Sequence, residues 1–307
     1  MGWDETLREK LKERCSGTVL FDEPARLHAS LGVGGRIDAL VFPETIDELS
    51  GIVDFIRQHA LPFLPVGNWT NLIVRDGGFR GVVVSLSRLR KLFVSHQADG
   101  TALATAEAGC SLAEMVGTAA KESLSGAEFC AGIPGSVGGA IRMNAGAYGG
   151  EIKDIVKDVS IIDSTGKRKT TTRMELNFTY RNLDLPTDSM IIAGTFLLHR
   201  GSRQEITAKM NDIIKKRKDK HPLDLPNAGS IFKNTPDCPA GRLIEESGLK
   251  GLRIGDAQIS EKHANFIVNR GRASSSEILE LIDLTVKSVF KKTGRTLETE
   301  VKVVGEP

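Results

Sequence analysis

A stretch of twenty residues, 132–151, constrains this chain more than any other part of its sequence. It reads GIPGSVGGAIRMNAGAYGGE, and seven of its residues are glycine. Glycine costs backbone entropy, so this density inside a folded domain indicates positive-φ turns or a main chain that approaches a ligand closely. Pro134 fixes one φ angle, and Asn144 tolerates left-handed geometry. A flexible linker would be rich in serine and charge, whereas this run contains Ile133, Val137, Ile141, Met143 and Tyr148. We therefore predict an ordered wall that faces a ligand.

The composition indicates a soluble globular protein. The 307 residues suffice for two or three domains, and 40% of them are hydrophobic, enough for buried cores. The net charge of +2 gives no reason to expect a nucleic acid or a membrane as a partner. No signal peptide or transmembrane stretch is visible. The cysteines show neither close pairs nor metal-binding spacing, and they lie at Cys15, Cys110, Cys130 and Cys238. We expect a cytoplasmic protein without a bound metal.

Alternating strand and helix patterns divide the chain into three predicted parts: 1–86, 87–201 and 202–307. The first two each resemble a small α/β unit, in which apolar strands flank an amphipathic helix. Thr45 can cap the helix of the first part. In the third part, a capping box at Ser274 starts a helix that ends at Gly294. The other predicted helices span 5–15, 111–122, 204–218 and 239–247. The main predicted strands span 39–42, 61–66, 81–86, 102–107, 158–163 with a turn at 164–166, 190–198, 265–269 and 296–304.

Two loops contain glycines of the kind found in phosphate-binding signatures. The loop at residues 67–71, GNWTN, follows an extended segment, so its backbone N–H groups could face a phosphate. This signal is weak alone, because a plain turn has the same composition. The segment Gly32-Val-Gly34-Gly35 approaches a dinucleotide-binding fingerprint, but Ile37 stands where the third glycine belongs. No Walker loop is present either, so a redox dinucleotide would have to be held in another way.

A few polar residues are candidates for catalysis or anion binding. Arg181 presents a planar fork that suits a carboxylate, although it can equally be a surface residue. Ser230 lies outside any G-x-S-x-G elbow, which disfavours a hydrolase. Glu298 and Glu300 are predicted to share one face of the last strand, where charged residues are most often solvated. The cationic segment 215–220, KKRKDK, is either a solvated helix end or a docking site for an anionic substrate.

Taken together in chain order, these candidates belong to one pattern. The sequence closely resembles the UDP-N-acetylenolpyruvoylglucosamine reductase family, and its length matches the shorter subtype. The matching segments run from HASLGVGG at 28–35 to LETEV at 297–301 and cover nearly the whole chain. Between them lie the segments 67–76, 132–139, 143–149, 178–181, 228–234 and 262–266. A match of this extent is far more specific than any single glycine motif.

The resemblance implies an α+β fold and a flavin cofactor. Two α/β subdomains would form an FAD-binding unit of the type shared with vanillyl-alcohol oxidase and p-cresol methylhydroxylase. A C-terminal α+β domain would bind substrate, and the last strand could return to the first subdomain. The implied reaction is NADPH-dependent reduction of UDP-N-acetylglucosamine enolpyruvate to UDP-N-acetylmuramate in peptidoglycan precursor synthesis. NADPH and the sugar nucleotide would use one pocket in turn, and we expect a monomer.

The resemblance also assigns roles to individual residues. Arg181 and Glu300 would stabilise the charge that develops on the substrate carboxylate, and Ser230 would donate the final proton. Implied substrate contacts are Tyr180, Lys220, Lys233 and Asn234. Implied cofactor contacts are Gly67, Asn68, Trp69, Thr70, Asn71, Gly132, Ile133, Pro134, Gly135, Ser136, Gly138, Gly139, Asn144 and Gly146. The pattern departs from the family at Trp69 and Thr70, where Gly-Ser is common, and tryptophan would be strained if its φ were positive.

Two other functions are alternatives for a chain with this FAD-binding pattern. A flavin oxidase of the same superfamily would resemble this chain only in its FAD-binding part, so the segments 228–234 and 297–301 disfavour it. A non-catalytic flavin- or nucleotide-binding protein would be marked by loss of Arg181, Ser230 or Glu300, and all three residues are present.

Overall fold

A computed structural model describes residues 3–163, 165–186 and 188–307. The chain forms two compact units. Unit 1 comprises the N-terminal residues up to Leu20, Ala39–Asn68 and Gly81–Lys216, and unit 2 comprises Phe21–Asp38, Trp69–Arg80 and Arg217–Pro307. The predicted boundary after residue 86 falls inside unit 1, so the division of the FAD-binding part into two subdomains stays a prediction.

The described residues form helices with well-defined caps. They are α1 Glu5–Lys12, α2 Ile46–Gln58, α3 Leu112–Lys121, α4 Val137–Arg142, α5 Ile152–Ile155, α6 Arg203–Lys220, α7 Ala240–Glu246 and α8 Ser275–Thr293. The caps predicted for α2 and α8 are confirmed. Thr45 accepts a hydrogen bond from the Glu48 amide, and the Ser274 capping box starts α8, which ends at Gly294 with φ of 69°.

The strands are mostly short and are numbered in chain order. They are β1 Thr18–Pro24, β2 Arg36–Phe42, β3 Phe63–Val66, β4 Leu72–Val74, β5 Phe79–Ser85, β6 Leu92–His96, β7 Thr101–Glu107, β8 Leu124–Ser125, β9 Gly146–Ala147, β10 Gly150–Glu151, β11 Val156–Ile162, β12 Arg168–Thr172, β13 Asn177–Thr179, β14 Asn182–Asp184, β15 Met190–Arg200, β16 Arg253–Ile254, β17 Ala257–Ile259, β18 Ile267–Asn269 and β19 Lys302–Val304.

Unit 1 is organised around an antiparallel sheet with the order β12–β11–β15–β7–β6, in which β8 also pairs with β15. One face of this sheet packs into an apolar core with side chains of α3 and α4, including Met115, Ile141 and Phe196. A smaller sheet has the order β1–β2–β5–β3, and β3 is its edge strand, parallel to β5. The edge position suits this segment, because Pro65 has no N–H group to donate to a second neighbouring strand.

Unit 2 has its own core. Its three-stranded antiparallel sheet β16–β17–β18 packs with α7 and α8 around apolar residues such as Leu281, Ile244 and Phe232. Within the same unit, β19 pairs in parallel with β4, with Lys302 opposite Leu72. Separate, mostly antiparallel sheets with attached helices form the α+β arrangement that the resemblance implies. Among the described residues, no helix combines the length and the apolar character that crossing a membrane requires.

Two predicted elements are shorter than expected. The first helix ends at Lys12 instead of residue 15, and the Glu48 carboxylate accepts hydrogen bonds from the amides of Ser16 and Gly17. The last strand begins at Lys302 instead of residue 296, because the preceding backbone pairs irregularly with residues 231–233. The predicted turn at 164–166 includes Ser164, which lies outside the described residues.

Asp76 joins two segments of unit 2 that are distant in sequence. Its carboxylate accepts hydrogen bonds from the amides of Ser275 and Ser276, both at 2.9 Å, and from the Ser276 hydroxyl at 2.6 Å. Partial burial acts to raise the pKa of Asp76, but the hydrogen bonds from Ser276 and Ser275 together hold this pKa below its usual value. The negative charge also complements the positive end of the α8 dipole.

We expect Asp76→Ala to lower the free energy of unfolding by about 1–2 kcal/mol, because α8 loses a capping carboxylate. The depressed pKa stabilises the fold above the ordinary aspartate pKa, and this gain is lost as pH falls through the folded-state value. The difference in free energy of unfolding between the parent and Asp76→Ala, measured with urea, should therefore be largest at pH 7. It should decrease below about pH 4. Asp283→Asn, which removes an exposed pair with Lys287 on the same helix, is the matched control. Equal losses in both variants would refute a capping role.

Candidate active site

The glycine-rich run folds into a loop and a short helix within unit 1. Ser136 caps α4, since its hydroxyl oxygen accepts a hydrogen bond from the Gly139 amide at 3.3 Å. The next amides, of Val137 and Gly138, donate to backbone carbonyls at 2.8 Å. A Cβ on Gly138 would lie 2.7 Å from the Ala108 Cβ, so this glycine is needed for packing. The start of α4 is therefore anchored to the protein through its own amides.

The two predicted walls of the ligand site meet at Gly67 and Ser136, both in unit 1. A Cβ on Gly67 would lie only 2.0 Å from the Ser136 hydroxyl oxygen, so no larger residue fits there. Gly132 and Gly135 take φ angles of 71° and 151°, which are accessible to glycine and strained for other residues. The two segments thus pack directly against each other at Gly67 and Ser136. That this surface receives a ligand stays a prediction.

The end of the run forms a second part of the site in unit 1. Strands β9 and β10 pair as a hairpin, and their turn residue Tyr148 is 46% exposed. Tyr180 and Arg181 form the turn between β13 and β14, and Tyr180 is 43% exposed. The two turns border a cleft of about 410 Å³ that also contains Glu151. Two exposed aromatic rings and a guanidinium around one cleft suit a planar or anionic ligand.

Asn144, predicted to contact the cofactor, is instead fully buried in unit 1. Its carboxamide nitrogen donates to the Thr179 carbonyl at 2.9 Å and to the Glu151 carboxylate at 3.1 Å. Its carboxamide oxygen accepts from the Lys153 amide at 3.0 Å. Because the side chain is enclosed by protein groups, its observed task is to connect segments of the chain. Its φ of 40° uses the left-handed geometry that asparagine tolerates.

Trp69 belongs to unit 2 and has the positive φ, 54°, that makes tryptophan strained. The side chain is only 7% exposed, and its ring centroid lies 5.7 Å from that of His28. The Ser30 amide and hydroxyl both bond to the Trp69 carbonyl. Burial of the large indole and these hydrogen bonds offset the backbone strain.

The segments that carry Ser230 and Glu300 are adjacent in unit 2. The Glu300 amide donates to the Ile231 carbonyl at 2.7 Å, and the Asn71 carboxamide donates to the Glu300 carbonyl at 3.2 Å. Asn71, predicted as a cofactor contact, thus also fixes the Glu300 backbone. Glu298 and Glu300 both lie before the last strand, which begins at Lys302. The Glu298 carboxylate pairs with Lys233 at 2.5 Å and is 73% exposed. Because neither glutamate belongs to a regular strand, the prediction that they share a strand face is wrong.

Ser230 lines a cleft of about 280 Å³ in unit 2 together with Asn234, Lys262 and His263. The Asn234 carboxamide oxygen accepts from the Ala240 amide at 3.0 Å, at the start of α7. This contact leaves the carboxamide nitrogen of Asn234 as the group that could donate to a substrate. Lys220 is exposed in the last turn of α6, as a cation at a helix C-terminus commonly is.

Sequence reasoning missed residues that hold the Ser230 loop. Buried Asn265 donates to the Phe232 carbonyl at 2.8 Å and accepts from the Phe232 amide at 2.9 Å. His221 packs beside His263 with ring centroids 5.5 Å apart, and burial together with the charge of Arg217 lowers the His221 pKa to about 4. In the sequence, the signal for Asn265 was a polar residue beside an apolar predicted strand.

The part of the chain that the structure describes contains no cluster of side chains suited to a metal ion.

Two protein families match this chain. The family described as "FAD binding domain" matches residues 37–172. The family described as "UDP-N-acetylenolpyruvoylglucosamine reductase, C-terminal domain" matches residues 221–304. The first match includes the glycine-rich run, and the second includes Ser230 and Glu300. The fold class predicted from the sequence agrees with both.

Individual relatives match over nearly the full length. The UDP-N-acetylenolpyruvoylglucosamine reductase of Syntrophus aciditrophicus is 51% identical over 99% of this chain and 97% of its own. The protein of that name from Caldanaerobacter subterraneus is 44% identical over 98% of this chain and 99% of its own. The crystal structure of the Thermus caldophilus reductase superimposes with a TM-score of 0.77 at 34% identity, covering 94% of this chain and 98% of that one.

Proposed function

This chain belongs to the UDP-N-acetylenolpyruvoylglucosamine reductase family, and on that premise we propose that it reduces UDP-N-acetylglucosamine enolpyruvate to UDP-N-acetylmuramate with NADPH as reductant. The product is a precursor of peptidoglycan. One observation carries the residue assignment in unit 2. The hydrogen bond from the Glu300 amide to the Ile231 carbonyl brings the segment of the carboxylate next to the loop of the proton donor, Ser230.

FAD is the cofactor, as the FAD-binding family match supports. When bound, it carries hydride from NADPH to the enolpyruvyl group. The residues of unit 1 suit its pyrophosphate, because the bare main chain at Gly67 packs directly against the Ser136 hydroxyl and so brings the two glycine-bearing segments together. We assign pyrophosphate binding to residues 67–68 and 132–136. Gly138 supports this wall from within the protein through its close packing against Ala108.

The reaction requires stabilisation of a transient negative charge. Hydride addition to the terminal vinyl carbon of the substrate leaves an electron pair on the adjacent carbon, which spreads into the carboxylate as an enediolate. Arg181 binds this carboxylate through its planar guanidinium and favours the charge that develops there. Glu300 assists as a hydrogen-bond donor, which requires its carboxyl group to be protonated or to act through water.

A proton must then reach the electron pair on the carbon next to the carboxylate. Ser230 supplies it, and this completes addition of one hydride and one proton across the double bond while NADPH becomes NADP⁺. A serine hydroxyl is a weak acid, so the proton is replaced from solvent or through a neighbouring group. Lys233, which is held by Glu298, is the candidate for this assistance.

NADPH and the sugar nucleotide are proposed to occupy one pocket in turn. We also propose, as a separate point, that the protein works as a monomer. Tyr180 borders the cleft of unit 1 and offers its ring to a sugar or base. Lys220 and the other cations of segment 215–220 attract the diphosphate over a distance limited by ionic screening. The carboxamide nitrogen of Asn234 is proposed to donate a hydrogen bond to the sugar nucleotide.

The proposed function is tested with the purified holoprotein. We expect flavin absorbance in the visible range and NADPH oxidation that depends on UDP-N-acetylglucosamine enolpyruvate. UDP-N-acetylglucosamine, which lacks the enolpyruvyl group, is the matched control and should not stimulate oxidation. A colourless protein, or oxidation of NADPH at the same rate with both sugar nucleotides, would overturn the proposal.

A further inference from the structure

The turn that presents Arg181 has an unusual backbone. Thr179 pairs with Asn182 in the β13–β14 hairpin, so Tyr180 and Arg181 are its two turn residues. Arg181 has a φ of 56°, which is uncommon for a residue with a Cβ. Such a conformation persists only where surrounding contacts determine it. The guanidinium position thus depends on the groups that hold this turn.

Asn144 holds the turn from inside the protein. It donates to the Thr179 carbonyl at 2.9 Å, two residues before Arg181, and its other contacts reach Glu151 and Lys153. One fully buried carboxamide therefore ties together the end of the glycine-rich run, the start of α5 and the hairpin turn. A buried amide with paired donor and acceptor groups is a rigid support, because breaking any of these bonds leaves a polar group unpaired.

Glu151 is the second support. Its carboxylate is half-buried and accepts hydrogen bonds from Asn144 at 3.1 Å and from the Lys153 ammonium at 2.7 Å. Partial burial acts to raise the Glu151 pKa, but the bonds from Lys153 and Asn144 and the charge of Arg181 together hold it below its usual value. Glu151 is therefore a fixed negative charge beside the guanidinium.

The guanidinium itself is held by two further groups of unit 1. Its Nη2 donates to the Gly146 carbonyl at 2.9 Å, and its carbon lies 4.9 Å from the centroid of the Tyr180 ring. Gly146 begins β9, the strand that leads into the hairpin turn containing Tyr148. The guanidinium is thus oriented by a carbonyl and a ring before any substrate arrives, and the charge of Glu151 acts on it electrostatically. This arrangement lowers the cost of binding a carboxylate in one geometry.

We infer that Asn144 and Glu151 are positioning residues for Arg181 in the oxidation of the reduced cofactor by the sugar nucleotide. This inference rests on the proposed function, since it assigns Arg181 to the enolpyruvyl carboxylate. The two residues act through Arg181 and do not themselves contact the reacting atoms.

The test separates the two half-reactions of the holoenzyme by stopped-flow absorbance. Asn144→Gly keeps the left-handed backbone without strain and removes the side-chain support, while Glu151→Gln keeps the side-chain shape and removes its charge. We expect each variant to slow cofactor oxidation by UDP-N-acetylglucosamine enolpyruvate about tenfold or more, because the guanidinium loses its fixed orientation. Cofactor reduction by NADPH should stay within about threefold of the parent, and calorimetry should show weaker binding of UDP-N-acetylmuramate.

Double variants and a control distinguish positioning from general damage. In an Arg181→Ala background, Asn144→Gly and Glu151→Gln should cause no further slowing, because their effect passes through Arg181. Glu175→Gln is the control, since Glu175 is another capping carboxylate of unit 1, bonded to Thr172. Equal slowing of both half-reactions, or full slowing that persists without Arg181, overturns the inference and leaves the proposed function standing. If Arg181→Ala leaves cofactor oxidation fast, the proposed role of Arg181 fails and the inference fails with it.

Discussion

Replacing Ser230 by alanine is expected to slow oxidation of the reduced cofactor by the sugar nucleotide roughly 10²- to 10⁴-fold, the range that general acid catalysis contributes. Ser230 lines the cleft of unit 2, and its loop is fixed by Asn265 through two hydrogen bonds to Phe232. Loss of the hydroxyl leaves this loop in place and removes only the proton donor. Rapid mixing of pre-reduced holoenzyme with substrate measures the step directly.

The reductive half-reaction is the internal control for Ser230→Ala. NADPH should reduce the bound cofactor at nearly the parental rate, because that step requires no proton from Ser230. Flavin content and melting temperature should also be unchanged, since the loop is supported by Asn265 and not by the serine side chain. A comparable loss in both half-reactions would show that Ser230 affects binding or folding, and not proton donation.

The second large effect is expected for Arg181. Arg181→Lys keeps a positive charge and loses the planar fork, so it should slow cofactor oxidation by about 10- to 100-fold, and Arg181→Ala by about 10²- to 10³-fold. The loss should fall mainly on the rate of this step, because the interaction strengthens as charge develops on the carboxylate. Measurement of the oxidation rate against substrate concentration separates this effect from weaker binding.

Arg173 provides a matched control for Arg181. It is also an arginine of unit 1, its guanidinium lies 5.1 Å from the Phe178 ring centroid, and its Nε donates to the Lys153 carbonyl at 2.9 Å. Arg173→Lys removes a similar fork from a structural position and should leave the oxidation rate within about threefold of the parent. A change confined to KM in the Arg181 variants, with an unaltered rate at saturation, would contradict a role in stabilising developing charge.

Features fixed by local chemistry could be predicted from the sequence. The capping box at Ser274 and the stop at Gly294 depend on neighbouring residues alone, and the structure has α8 between them. The residue type of Asn144 showed only that a left-handed φ was permitted there, and the structure has this φ at 40°. The resemblance added the cofactor class and the C-terminal domain, because it rests on segments spread over nearly the whole chain.

Features decided by distant contacts could not be predicted. The last strand is short because residues 231–233 compete for its backbone groups, and no local pattern reveals that partner. Asn144 was assigned to the cofactor because a sequence does not distinguish an asparagine that binds a ligand from one that bonds to the Thr179 carbonyl. At Trp69 the sequence indicated strain, but not that His28 would pack against the indole and help to bury it.

The central claim is that the cofactor reduced by NADPH passes its electrons to the enolpyruvyl group. The most direct measurement is an anaerobic single turnover, in which pre-reduced holoenzyme is mixed with UDP-N-acetylglucosamine enolpyruvate. The account predicts that oxidised flavin absorbance returns in step with a product that has gained one hydride and one proton, identified as UDP-N-acetylmuramate by mass spectrometry. Flavin that stays reduced after substrate is added, or that reoxidises without forming this product, would contradict it.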